Sequence, residues 1–180
     1  GLDKLADLWK NWEIWFADVE ESHTTLPALV FFRSPRSDNS WVTSAGAVLD
    51  SAAIALSSLD IPYEMSGALC IRAGFLCFHR ITDYFDISHP HDPKYPETPI
   101  SVTRAEYDEL IRKLEEAGLP IKSDREQAWK DFAGWRVNYD RTLMVLCSMI
   151  MPPPNVPWSS DRAPQFKMPP LFVKKIKHEH

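Results

Sequence analysis

Three groups of histidine and acidic residues in this sequence have types and spacings that could do chemistry. In the first, Glu20-x-x-His23 places a carboxylate and an imidazole on one helix face, which is how di-iron helical bundles present their ligands. Such a centre needs a second copy of the motif, and the sequence holds no other Glu-x-x-His. We therefore expect His23 to lie in the last turn of a helix, where a cation complements the helix dipole.

The second group is a helical pair, His79 and Asp83, spaced at i and i+4. Arg72 precedes His79 by one heptad and falls on the same polar stripe. The stripe could bind an anion or a metal ion. We favour an internal network of ion pairs, because buried charges must be paired.

The third group, His89-Pro90-His91-Asp92, opens a segment in which prolines recur at every third residue, a pattern typical of an extended connection. The imidazoles of His89 and His91 and the carboxylate of Asp92 could hold Zn²⁺ or Ni²⁺ loosely. A structural zinc site takes four ligands from ordered elements. We therefore expect a solvated loop, and the sequence indicates neither a metal centre nor a cofactor.

The motifs of common catalytic centres do not occur in the sequence. There is no G-x-S-x-G, no P-loop and no G-x-G-x-x-G. Ser22 and His23 are adjacent, so on a helix they point about 100° apart and do not form a nucleophile–base couple. We expect a noncatalytic protein. The alternative left open is a helical metal-binding enzyme that uses Glu20, His23, His79 and Asp83.

The composition is that of a soluble globular protein. With 180 residues, of which 44% are hydrophobic and 25% charged, the chain can bury a core without disulfides or metals. Its net charge of −5 argues against a nucleic-acid partner, because a general nucleic-acid binder needs a basic face. Cys70, Cys77 and Cys147 lie in apolar runs, which indicates core thiols in a reducing compartment.

Helical periodicity organises most of the chain. Apolar residues recur every three or four positions in five segments, 2–23, 40–59, 66–85, 104–117 and 125–151. Asp38 or Asn39 could cap the second segment, and Thr103 with Glu106 predicts a capping box before the fourth. Residues 152–180 hold seven of the 15 prolines. The sequence therefore predicts an all-α fold, a single bundle of about five helices over 1–151 with an extended proline-rich C-terminal arm over 152–180.

Two features favour contact with a membrane surface. Residues 152–180 carry five bases and two acids, so this arm is +3 in a chain that is −5 overall, and basic tails are attracted to anionic lipid. The first helix contains Trp9, Trp12 and Trp15, which at helical spacing are typical of a core but also occur where proteins meet a bilayer. A further alternative is an adaptor whose proline-rich arm binds a groove on another protein.

Several uncommon residues follow one another in a defined order between Trp12 and Asp50. They are Glu21-Ser22-His23, Pro27, Phe32-Arg33-Ser34, Asp38-Asn39-Ser40-Trp41 and Val48-Leu49-Asp50. This stretch resembles the cytosolic C-terminal region of bacterial two-transmembrane proteins related to potassium channels, the two-pore-domain-like ion channel group. The resemblance continues more loosely to Phe85, and it departs at residues 35–37, where the relatives are richer in Gln and His.

The resemblance implies a soluble module beneath a channel-like pore, at the cytoplasmic face of the inner membrane. It implies a noncatalytic regulatory or assembly role and a homo-oligomer formed through the parent membrane protein. It names no ligand. The chain itself contains no Gly-Tyr-Gly filter, so we do not expect it to conduct ions alone.

We also predict one polar constellation inside the bundle. Its members are Glu20, His23, Arg33, Asp38, Trp41, Asp50, Arg72, His79 and Asp83. The sharpest expectation within it is an ion pair between Asp50 and Arg72. Such a network would fix the register of the helices, with ligand sensing as the smaller alternative.

Overall fold

A computed structural model describes residues 3–31, 40–150 and 152–162 of the chain. These ranges contain six α-helices, one short 3₁₀-helix and no β-strand, which confirms the predicted all-α class. The helices are α1 (Asp3–Thr25), α2 (Trp41–Ser58), α3 (Met65–Tyr84), α4 (Arg104–Glu116), α5 (Arg125–Arg136) and α6 (Asp140–Ile150), and the 3₁₀-helix is Pro27–Phe31. Among the helices of these ranges, none is both long and apolar enough to cross a membrane.

The core forms where α1 lies along α3. A Cβ added to Gly67 would lie 3.3 Å from the ring of Trp9, and one added to Gly74 would lie 3.2 Å from the ring of Phe16, so the two helices run in the same direction. Trp9 and Phe16 are buried, so the apolar stripe predicted for the first segment faces the interior.

Helix α2 packs against this pair through its small residues. Ala45, Ala52 and Ala53 are fully buried, and Leu49 fits against Gly74 of α3. Small side chains let two helix backbones approach closely, and the sequence predicted this role for them. The three cysteines are buried as well, and burial raises the pKa of the Cys70 and Cys147 thiols to about 12.

The N-terminus of α4 is capped as the sequence predicted, whereas the N-terminus of α2 is not. Thr103 and Glu106 form the predicted capping box of α4, and Gly118, at φ +83°, follows its C-terminus. The residue that precedes α2 is Ser40, which makes no side-chain cap bond. The prediction of Asp38 or Asn39 as cap is therefore wrong, and both lie outside the described residues.

The predicted fifth segment is two helices rather than one. Between α5 and α6 the chain tightens into i→i+3 hydrogen bonds, from Asn138 N to Trp135 O and from Tyr139 N to Arg136 O. The Asn138 side chain donates to the carbonyls of Gly134 and Trp135 and so satisfies the end of α5. The described part of the bundle therefore has six α-helices instead of about five.

Two proline-rich stretches lie against the body. In the loop before α4, Thr98 N donates to Lys94 O at 2.7 Å, so residues 94–98 form a turn where the sequence predicted an extended connection. Residues 152–162 form turns, and the ring of Trp158 packs 5.6 Å from that of Phe132. The predicted arm is thus anchored over its first eleven residues, and residues 163–180 lie outside the described residues.

Two glycines make a matched test of this packing. Gly74→Ala places a methyl group 2.6 Å from a methyl of buried Leu49, and we expect the free energy of unfolding to fall by about 1–3 kcal/mol. Gly134→Ala on α5 meets nothing within 4 Å, so its better helix propensity should raise stability by about 0.5–1 kcal/mol. Urea unfolding of both variants measures this, and equal effects would contradict the close α2–α3 contact.

Candidate functional site

A fully buried arginine lies at the centre of the polar interior. Arg136 ends α5, and its guanidinium has no exposed surface. Nη1 donates to Asp50 Oδ1 of α2, Nε donates to Asp140 Oδ1 of α6 at 2.8 Å, and Nη2 donates to the Trp158 carbonyl at 2.7 Å. We call Arg136, Asp50, Asp140 and Tyr139 the Arg136 cluster.

The electrostatics of the cluster follow from burial and pairing. Burial alone would lower the pKa of Arg136, but the carboxylates of Asp50 and Asp140 more than reverse this and raise it. Burial raises the pKa of Asp50, an effect that the positive charge of Arg136 opposes. The Tyr139 hydroxyl donates to Asp50 Oδ1 at 2.8 Å, and burial holds its pKa well above the usual value.

The cluster extends to the start of α4 and to the C-terminal turns. Asp140 accepts hydrogen bonds from the amide and the hydroxyl of Ser101, at 2.9 and 2.7 Å. Arg162 donates to the Ser101 carbonyl at 3.2 Å and to Glu106 at 2.6 Å. One network therefore holds α2, α5, α6, the start of α4 and residues 156–162 together.

An open apolar groove lies beside this network, between α2 and α4. Its volume is about 730 Å³. Ala47, Ser51, Ile54 and Ala55 of α2 form one wall, together with Leu59 after the helix. The rest of its surface comes from Leu5, Asp50, Glu106, Glu109, Leu110, Lys113, Leu114, Leu119, Val156, Pro157 and Trp158. Clefts of this size and lining are typical of sites that bind small molecules or apolar segments.

A second polar group forms where the loop after α3 folds back. The buried His89 ring places Nε2 2.7 Å from Asp83 Oδ1, and it lies 4.2 Å from the ring of His79 and 5.2 Å from that of His91. His79 Nε2 lies 3.2 Å from the carbonyl oxygen of Asn138, so this nitrogen carries the proton. Burial, with the neighbouring imidazole of His89, lowers the pKa of His79 to about 4.

The described members of the predicted constellation fall into separate groups. Glu20 pairs with Arg80 of α3, while His23 packs its ring 5.3 Å from that of Trp41. The expected Asp50–Arg72 pair is wrong, because Asp50 pairs with Arg136 and Arg72 is exposed.

Two further predicted members, Arg33 and Asp38, lie outside the described residues. Asp92 pairs with Lys94 at the surface rather than with the two histidines. In the described ranges, no group of three or more His, Cys, Asp and Glu residues is placed to hold a metal ion. Glu20, His23, His79 and Asp83 do not share one site.

Arg136, Tyr139 and Asp140 are the residues that the sequence analysis missed. They lie in a segment that was predicted as one amphipathic helix, in which charged residues are expected on the exposed face. The sequence does contain an indication of a buried ion pair, since Arg136 and Asp140 have i, i+4 spacing and precede the apolar run Leu143–Cys147.

Removing the central cation tests the importance of the cluster. Arg136→Met leaves the buried carboxylates of Asp50 and Asp140 without their partner, so we expect the free energy of unfolding to fall by about 3–5 kcal/mol. The control is Arg112→Met, because Arg112 makes two exposed ion pairs on α4 whose loss should cost under about 1 kcal/mol. If chemical denaturation gives equal losses of unfolding free energy in the two variants, the cluster stabilises the fold no more than exposed ion pairs do.

The pKa of His79 predicts a loss of stability in acid. Below pH 6.5 the unfolded chain protonates this imidazole, whereas the folded chain does so only near pH 4. Stability should therefore fall by about 3 kcal/mol across this window through His79 alone. His79→Gln keeps a donor for the Asn138 carbonyl and should make the free energy of unfolding depend less on pH between pH 6.5 and 4. His91→Gln should leave this pH dependence unchanged. An unchanged slope in His79→Gln would contradict the assignment.

Comparison with known proteins identifies no relative of this chain: no protein-family model matches it, and neither do the curated proteins or the solved structures.

Proposed function

We propose that this chain is a noncatalytic cytosolic regulatory or assembly domain of a bacterial ion-channel-like membrane protein, and that it acts through the groove between α2 and α4. The observation that carries the proposal is the groove itself. It offers about 730 Å³ of mostly apolar space beside a buried ionic network. Contiguous apolar clefts of this kind are uncommon on a soluble domain unless something binds there.

The charged side chains favour binding over catalysis. Arg136 holds Asp50 and Asp140, Arg162 holds Glu106, and these contacts join separate elements of the bundle. A group that secures helices in this way cannot accept a proton or release its partner without a cost in stability. Its chemistry is therefore better suited to fixing the shape of a binding surface.

The parent class comes from the resemblance of Trp12–Asp50 to the cytosolic region of channel-related proteins. That stretch contributes most of α1 and the first half of α2, which carries the groove wall residues Ala47 and Asp50. In an oligomeric parent, each subunit would present one groove. Occupation of the groove would then alter either the association of the subunits or the state of the pore.

Ala47→Trp in the full-length parent tests this function. Ala47 is exposed on the groove wall, so an indole there fills the groove without entering the core. We expect cation flux into liposomes, or the yield of cross-linked oligomer, to change roughly fivefold or more, as coupling energies of 1 kcal/mol and above require. The matched control is Ala105→Trp, an exposed position of α4 that does not line the groove.

Two results would refute the proposal. One is a parent protein without membrane-spanning helices. The other is equal flux and equal oligomer yield in Ala47→Trp, Ala105→Trp and the unmodified protein.

A further inference from the structure

One end of the groove is formed by a carboxylate whose hydrogen-bonding capacity is only partly used by the residues that the structure describes. Asp50 lines the groove, and its side chain is 13% exposed. Among the described residues, its hydrogen bonds from Arg136 and from the Tyr139 hydroxyl both go to Oδ1. The second carboxylate oxygen, Oδ2, therefore has capacity to accept a donor from a molecule in the groove.

The charges around this end leave a surplus of negative charge. Arg136 is one cation between two carboxylates, Asp50 and Asp140, which gives the buried set a net charge of −1. Arg162 likewise faces both Glu106 and Asp161. A buried group of side chains with a net negative charge is stabilised most by a cation that also donates hydrogen bonds.

An aromatic residue, Trp158, also lines the groove and contacts the Arg136 cluster through its backbone. Trp158 adopts φ +59°, a left-handed conformation that is strained for a tryptophan, and the donor Arg136 Nη2 holds its carbonyl at 2.7 Å. Trp158, like Asp50, is one of the residues that line the groove. A carboxylate and a tryptophan in one site form a combination that can bind an ammonium group.

The remainder of the lining suits a hydrocarbon chain. Ile54, Leu59, Leu110, Leu114 and Leu119 line the groove away from the charged end. Lys113 also lines it but lies 3.3 Å from Glu109, and Glu109 is shared with Arg112. The Lys113 ammonium is therefore paired within α4, whereas Asp50 Oδ2 accepts no hydrogen bond from a described residue.

We propose that the groove binds a small amphiphilic amine, with the protonated amino group on Asp50 and a single alkyl chain along the leucines. The assignment rests on the proposed function in that it names the ligand class of the same groove. The binding itself needs no membrane and no parent protein, so it is measured on the 180-residue chain.

Three probes with the same alkyl chain and different head groups test the proposal: decylamine, decanol and decanoate, below their micellar concentrations and at neutral pH. Titration followed by tryptophan fluorescence or calorimetry should give saturable binding of decylamine, roughly tenfold tighter than decanol. Decanoate should bind most weakly, because its carboxylate meets the negative set at Asp50.

Variants separate the groove from non-specific adsorption. Ala47→Trp should abolish decylamine binding, and Ala105→Trp should leave it unchanged. Asp50→Asn should bring decylamine and decanol to equal affinity, whereas the matched control Asp131→Asn, at an exposed position of α5 outside the groove, should leave both affinities unchanged. If Asp50→Asn does not fold, the head-group series and the two tryptophan variants still decide the question.

Three outcomes would overturn the assignment. They are the absence of saturable decylamine binding, decanoate binding as tight as that of decylamine, and decylamine binding that persists in Ala47→Trp. If decylamine does not bind while Ala47→Trp still changes cation flux in the parent protein, only the proposed ligand class is wrong. If decylamine binds as expected and flux is unaffected, the ligand site stands and the channel-related function fails.

Discussion

A guanidinium removed from water needs an acceptor for its N–H groups, and this requirement at Arg136 determines much of the domain's architecture. The acceptors come from Asp50 in α2, Asp140 in α6 and the backbone of Trp158, so three distant parts of the chain must meet at one point. The break between α5 and α6 lies beside this point. Tyr139, at the break, donates its hydroxyl to Asp50 Oδ1 at 2.8 Å, and Asp140, the first residue of α6, accepts from Arg136 Nε at 2.8 Å.

The sequence predicted the elements of this fold better than the connections between them. Periodicity located α1 to α4 and the combined span of α5 and α6, because apolar stripes are a local signal, and the capping box at Thr103 was readable for the same reason. The break at 137–139 contains neither Gly nor Pro, so no local signal marks it. Asp50 was recognisable as a buried polar residue within a run of small ones, but its partner is 86 residues away and is fixed only by tertiary packing.

Helix α4 lines one side of the groove and buries few of its own residues. Its capping box and the exposed ion pairs of Arg112 support the helix locally. Tyr107, which hydrogen-bonds Ser58 at 2.8 Å, and Ile111 are the buried residues that fasten it to the bundle. A helix held in this way need not press its whole apolar face against α2, and Leu110 and Leu114 remain available on the groove wall.

Asp50 belongs to both the groove and the ionic network, and this shared membership is what would make the groove regulatory under the proposed function. A ligand shifts a conformational equilibrium only through contacts that differ between the two states. A cation bound at Asp50 Oδ2 would share the carboxylate whose Oδ1 accepts from Arg136, and Arg136 in turn donates to the carbonyl of Trp158, whose backbone is strained. Under the proposed function, occupation of the groove would therefore act directly on the anchor of residues 156–162, without a long path through the core.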